Sequence, residues 1–141
     1  MIVLDTNVVS EIALRRPDAN VVAWMAQQDR SELSICAPVV AELSYGAHRI
    51  LLRDKNPKHL GALSLLISGQ FRNQVLVNDA TSAMRFGEIL AKREAVGRPM
   101  GLMDAMIAAI CFVHDATLAT RNVRDFDGLD LRLVNPFEAR A

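Results

Sequence analysis

Apolar residues in this chain fall in short runs separated by longer amphipathic stretches, a pattern that predicts strands feeding helices. Ile2-Val3-Leu4 reads as a strand that stops at Asp5-Thr6-Asn7, a cluster suited to capping a helix. After Pro17, Asp18 can cap a helix that buries Val21, Trp24 and Met25. Leu33 to Cys36 is a second strand. Pro38 fits the first turn of a helix running to about Arg53, with Val39, Val40, Leu43, Ala47 and Ile50 inward. Asn56-Pro57 opens another, with Leu60, Leu63 and Ile67 on its apolar stripe. Val75 to Val77 is a weak strand. Asp79 caps a helix with Ala83, Phe86 and Leu90 on one face, Glu88 and Lys92 paired outside, and Gly97 at its end. A nearly all-apolar helix from about Leu102 to His114 belongs at the centre of the fold. Thr117–Thr120 and Leu131–Val134 close the chain as strands. Strands alternating with helices predict an α/β fold: a three-layer sandwich around a central, mostly parallel sheet of four to five short strands.

No linker, repeat or low-complexity tract interrupts the pattern, so residues 1–141 read as one domain. Hydrophobic residues make up 51% and charged residues 23%, which argues against disorder. Aromatics are only 5%, so the core must come from Ala, Val, Leu, Ile and Met. The 16 Lys and Arg balance the 16 Asp and Glu, which weighs mildly against direct duplex binding, although charge can be segregated on a surface. Two basic groups stand out: His48, Arg49, Arg53, Lys55, Lys58 and His59 against Asp54 alone, and Lys92, Arg93 and Arg98. Both read as solvated helix faces. Cys36 and Cys111 lie inside apolar runs and read as buried thiols in a reducing compartment. The apolar stretch before Asp5 is too short for a signal peptide, and Ala105–Val113 is too short to span a bilayer, so a soluble, cytoplasmic protein without membrane contact is expected.

In open parallel sheets ligands bind beyond the carboxyl ends of the strands. Asp5 directly follows the first strand. Glu42 sits one turn into the helix fed by the second. Asn122 and Asp125 follow the Thr117–Thr120 strand. Asp104 lies among Leu102, Met103, Ala105, Met106 and Ile107, where an unpartnered carboxylate is costly. Each residue has a plain structural alternative: Asp5 as a cap, Glu42 on an exposed helix face, Asp104 as a helix N-terminal acid, Asn122 and Asp125 as turn residues. Together, carboxylates gathered at one sheet edge repel unless a cation neutralises them. With no Cys and no His in ligand spacing, an oxygen-only set favours Mg²⁺ or Mn²⁺, ions that serve phosphodiester hydrolysis.

Four segments in order carry a resemblance: Met1-Ile2-Val3-Leu4-Asp5-Thr6-Asn7-Val8-Val9-Ser10-Glu11, Val40-Ala41-Glu42-Leu43-Ser44-Tyr45-Gly46, Asp104-Ala105-Met106-Ile107-Ala108-Ala109, and Leu118-Ala119-Thr120-Arg121-Asn122-Val123-Arg124-Asp125-Phe126. They resemble PIN-domain ribonucleases, particularly VapC-type toxins of toxin–antitoxin pairs, and Val134-Asn135-Pro136-Phe137 is similar to the end of the FitB-like subgroup. The resemblance implies a metal-dependent endoribonuclease acting on tRNA, rRNA or mRNA. It puts the family's acids on Asp5, Glu42 and Asp104, with Asp5 and Asp104 holding Mg²⁺. Its fourth polar position falls on Asn122, a neutral residue that Asp125 partly compensates. Asn7 and Thr120 match positions that orient the site, and Arg121 and Arg124 could meet flanking phosphates. The resemblance further implies a homodimer, an inhibitory antitoxin seated near residues 8–14, 38–53 and 57–68, a larger hetero-oligomer with it, and operator DNA bound only through that partner. Two other readings compete. An aspartyl-phosphate hydrolase would need a second Asp where Asn7 stands. A non-catalytic interaction scaffold draws support from Asn122 alone.

Overall fold

The computed structural model describes residues 1–139. Strand β1 (Ile2–Leu4) leads into helix α1 (Thr6–Ile12), then α2 (Ala19–Ala26), β2 (Leu33–Cys36) and the long α3 (Ala37–Asp54). Helix α4 (Lys58–Leu65) precedes β3 (Val75–Leu76), followed by α5 (Ala80–Ala95), α6 (Leu102–Val113), β4 (Thr117–Ala119) and β5 (Leu133–Val134). The sheet has five strands in the order β3-β2-β1-β4-β5, and every neighbouring pair is parallel. The expected α/β sandwich is therefore present with an entirely parallel sheet. Three strands are shorter than expected: Val77, Thr120, Leu131 and Arg132 fall outside the ladder.

Local chemistry explains the element boundaries. Asp5 and Asp18 cap α1 and α2 with side-chain bonds to free amides, and Pro38 occupies the first turn of α3. Gly97 leaves α5 at φ 70°, a left-handed conformation, and the Arg98 amide closes back on the Arg93 carbonyl at 2.9 Å. Val3, Leu4, Ile35 and Leu118 are fully buried in the sheet, beside Ile107, Ala108, Ile110 and Cys111 of α6. Each enclosed branched aliphatic side chain contributes about 1.5–3 kcal/mol relative to exposure. The central position expected for α6 follows from this packing.

Helix α5 departs from its predicted face. Ser82, Ile89 and Arg93 are buried, Phe86 and Leu90 are half-buried, and Ala83 is exposed. Ser82 can be buried because its hydroxyl donates to Asn78 Oδ1 at 2.8 Å and sits 3.1 Å from the Asp79 carbonyl. Arg93 leaves the solvated basic face to which the sequence assigned it. Glu88 and Lys92 pair on the outside as expected, at 2.6 Å.

The chain runs outward from β1 through β2 to β3 and then returns to place β4 and β5 on the other side of β1. The strand order thus reverses between β1 and β4, and in open sheets the crevice for ligands opens beyond the carboxyl ends at such a point. Among the described residues, no helix is long and apolar enough to cross a membrane.

Candidate active site

Asp5 stands at that crevice, where β1 hands over to α1. Its amide donates to the Ala119 carbonyl of β4 at 2.9 Å, fixing the two strand ends together. The side chain is almost fully enclosed, at 4% exposure, so each carboxylate oxygen needs a donor. Oδ1 accepts from the Thr6 amide at 2.7 Å; Oδ2 accepts from the Thr120 hydroxyl at 2.7 Å and from Asn7 Nδ2 at 3.3 Å. Burial raises the Asp5 pKa above its ordinary value; the bonds from Thr120, Thr6 and Asn7 counter it, and the charge of Asp125 adds to the rise. Asp5 is therefore both the cap and an anchored acid; its two readings do not compete.

Thr120, fully buried just past β4, occupies the junction. Besides donating to Asp5, its Oγ1 accepts from the Asn122 amide at 3.0 Å and lies 3.4 Å from Asn7 Nδ2. Asn7 Oδ1 accepts from the Arg121 amide at 3.1 Å. Asn7 and Thr120 thus both donate to the Asp5 carboxylate.

Glu42, on the second turn of α3, accepts from the Thr6 hydroxyl at 2.9 Å. Thr6 went unmarked in the sequence although it lies inside the Asp5-Thr6-Asn7 cluster. Its amide serves Asp5 and its hydroxyl serves Glu42, so one residue fixes two acids.

Asp104 differs. It lies on the first turn of α6 and is half-buried, less enclosed than its apolar neighbours suggested, because Leu102 beside it is exposed. Among the described residues it accepts no hydrogen bond and forms no ion pair. The capping alternative thus lacks its bonds. Burial lifts its pKa to about 6, helped by the charges of Asp5, Asp125 and Glu42 in that order. Asp5, Asp125 and Glu42 thus lie within electrostatic reach of Asp104, and among the described residues none of the four has a Lys or Arg partner. Asn122 and Asp125 are exposed on the rim; Asp125 rides a 3₁₀ turn over Val123–Phe126, its amide bonded to the Asn122 carbonyl at 3.0 Å.

The rim arginines part company. Arg124 is exposed. The Arg121 guanidinium carbon sits over the Phe137 ring, 3.7 Å from its centroid, and the side chain pairs with Glu11 at 3.5 Å, so it is already engaged within the fold. Cys36 and Cys111 are free and buried; enclosure pushes the Cys36 thiol up to about 12 and Cys111 well above its usual range. Neither supplies a thiolate at neutral pH.

The donor set fits a hard divalent cation: carboxylate and amide oxygens only, with clustered negative charge and no resident counter-charge. Among the described residues, no three acidic, His or Cys side chains converge as a ready-made cage. A pair of carboxylates completed by water suits Mg²⁺, which keeps several waters when bound.

A PIN-domain family model matches residues 2–130. The chain is 37% identical over 146 aligned residues to the plasmid stability protein StbB of Pseudomonas syringae pv. tomato, covering 99% of this chain and 100% of that one. It is 31% identical over 138 residues to the VapC ribonuclease Y4jK of Sinorhizobium fredii, covering 98% and 99%. The solved structure of FitAcB from Neisseria gonorrhoeae superposes with a TM-score of 0.85 at 30% identity, over 99% of this chain and 100% of that one.

Proposed function

The chain belongs to the PIN-domain family, with a VapC ribonuclease among its full-length relatives, and on that footing we propose that it is a Mg²⁺- or Mn²⁺-dependent endoribonuclease, the toxin of a toxin–antitoxin pair. One observation carries the reading: at the switch point of the sheet a buried, triply bonded Asp5 lies within electrostatic reach of Asp104, which accepts no hydrogen bond among the described residues.

Asp5 and Asp104 are the residues to hold the ion. A bound divalent ion activates water and neutralises charge building on the scissile phosphate. Glu42, held by Thr6, orients the attacking water by accepting its hydrogen bond. Asn122 offers a neutral amide at the fourth position, and the exposed Asp125 supplies the negative charge that Asn122 lacks. Asn7 and Thr120 keep Asp5 from rotating. Arg124, which has no bonded partner among the described residues, is the rim cation to meet a flanking phosphate, since Arg121 is bonded elsewhere.

An antitoxin segment fits the apolar surface of α1, α3 and α4. Leu14 just past α1, Tyr45 and Leu52 on α3, and Leu65 on α4 are each more than half exposed. Operator DNA falls to that partner, a division that the balanced charge fits better than direct duplex binding, and this chain is a homodimer inside the larger assembly. A non-catalytic scaffold is the second reading, favoured by Asn122 and by the lack of a three-ligand cage among the described residues.

Cleavage of total cellular RNA by the purified, antitoxin-free protein separates the two. Discrete fragments in Mg²⁺ that vanish in EDTA are expected, with a rate loss of at least about 100-fold, as for several kcal/mol of lost transition-state stabilisation. Intact RNA from folded, Mg²⁺-supplied protein would establish the scaffold.

A further inference from the structure

Arg93 is a buried arginine with no carboxylate partner among the described residues. A guanidinium in that position must be satisfied by other acceptors, or it would be expelled. Its Nε donates to the Arg98 carbonyl at 2.8 Å, while Nη1 donates to the carbonyls of Asp125 at 3.3 Å and Asp127 at 3.2 Å. All three acceptors are backbone, and they lie on two separate segments. One is the turn from α5 that leads through Gly101 to the first turn of α6, where Asp104 sits. The other is the 3₁₀ turn that carries Asp125.

The second segment continues by hydrogen bonds to the centre of the site. The Asp125 amide bonds the Asn122 carbonyl, the Asn122 amide bonds Thr120 Oγ1, and Thr120 bonds Asp5 Oδ2. A single bonded path therefore runs from Arg93 to Asp5, with a branch toward Asp104. Arg53 and Arg85, by contrast, pair with neighbouring acids on their own helices. A planar fork of several donors is suited to bridging carbonyls on two segments at once, which a lysine's compact ammonium does less well.

We propose that Arg93 is a positioning residue that locks the Asp125 turn against the approach to α6, fixing the spacing of the acids in the site. The proposal rests on the metal-dependent nuclease reading and concerns a residue that touches neither ion nor RNA.

The test compares wild type, Arg93→Lys, Arg93→Met, Asp125→Ala and the Arg93→Met/Asp125→Ala double variant. Circular dichroism and melting curves come first, then kcat and KM for RNA cleavage, then the shift of the melting midpoint on titration with Mg²⁺ alone. Arg93→Met is expected to lose about 10–100-fold in kcat with KM nearly unchanged and to need about tenfold more Mg²⁺ for half its shift, the scale seen when groups supporting a metal site are removed. Arg93→Lys recovers only part. In the Asp125→Ala background the Arg93→Met loss shrinks, because both changes act through one turn.

Wild-type kcat and Mg²⁺ response in folded Arg93→Met overturn the proposal. So does a double variant whose losses simply multiply, the mark of a fold staple alone. If Arg93→Met does not fold, Arg93→Lys decides: wild-type values overturn the proposal, and a lowered kcat at unchanged KM supports it. If wild type cuts no RNA, the nuclease reading fails, and the Mg²⁺ shift alone judges Arg93. There, loss of response in the variant supports positioning, and a retained response overturns it. A wild type that neither cuts RNA nor responds to Mg²⁺ overturns both.

Discussion

Asp104→Asn is expected to make the metal-free protein more stable while removing RNA cleavage. The folded state holds the Asp104 carboxyl at a pKa of about 6, above 3.8 for the free side chain, because burial and the charges of Asp5, Asp125 and Glu42 all disfavour ionisation. The folded protein therefore binds this proton more tightly than the unfolded chain does. Between about pH 3.8 and pH 6, stability from this group falls as pH rises; above pH 6 the full penalty is present. The shift would correspond to about 3 kcal/mol for an enclosed group, and solvent screening of a half-exposed carboxylate reduces this to about 1 kcal/mol. A neutral amide of the same shape removes the penalty. At pH 7.5 in EDTA the variant should melt about 4 °C higher than wild type. The gain should disappear near pH 4, where wild type carries the proton too.

The same substitution should cost at least about 100-fold in cleavage rate, the loss of several kcal/mol of metal-dependent stabilisation. Added Mg²⁺ should raise the wild-type melting midpoint and leave that of the variant nearly fixed, because ligand that binds only one form stabilises only that form. A stable but inactive variant is what a site held under electrostatic strain predicts. Cleavage within threefold of wild type would remove Asp104 from the site. An unchanged metal-free midpoint would refute the electrostatic account and leave the assignment to rest on cleavage alone.

Strand ends carried most of the information that the sequence offered. Ile2-Val3-Leu4 before Asp5, and Leu33–Cys36 before Ala37-Pro38, are short apolar runs cut by capping residues, so the rule for ligands beyond strand ends pointed at Asp5 and Glu42 without any coordinates. What that rule leaves out is which strand ends adjoin. The site depends on β1 lying between β2 and β4, and no spacing in the chain specifies that order. Thr6 shows the consequence: its hydroxyl meets Glu42, 36 residues away, so a residue read as part of a cap holds a second acid. Hydropathy failed for a related reason on α5. Ser82 is buried because a local bond satisfies it, and Arg93 because carbonyls 32 and 34 residues onward do. Polarity scores count the cost of burying such groups and cannot see acceptors supplied by other segments. For Asp104 the error was opposite. The apolar sequence around it is real, but its helix is exposed at its first residue, Leu102, and half-buried at Met103 and Asp104.

Asp5→Asn should silence cleavage with little change in fold, and so separates chemistry from architecture at the most connected residue of the site. Asparagine caps a helix about as well as aspartate, so α1 should keep its first turn. The Asn carbonyl can still accept from the Thr6 amide, and its amide group can donate to Thr120 Oγ1 where the carboxylate formerly accepted. Losing a buried negative charge whose pKa is already raised offsets the weaker bonds, so the melting midpoint should stay within about 3 °C, a change below about 1 kcal/mol. Cleavage, by contrast, needs the charge, and a loss of about 100- to 1,000-fold is expected. Thr120→Val makes the complementary change, leaving the Asp5 charge and removing its hydroxyl donor. That variant should be destabilised by about 1–3 kcal/mol, because the Asn122 amide and Asp5 Oδ2 both lose a partner, and should keep part of its activity. The pair of variants thus reads oppositely: one stable and inactive, the other weakened and partly active. If Asp5→Asn instead unfolds, capping and burial dominate at this position, and the nuclease assignment must stand on Asp104. If it folds and cuts RNA at the wild-type rate, the acid cluster is not the catalytic centre.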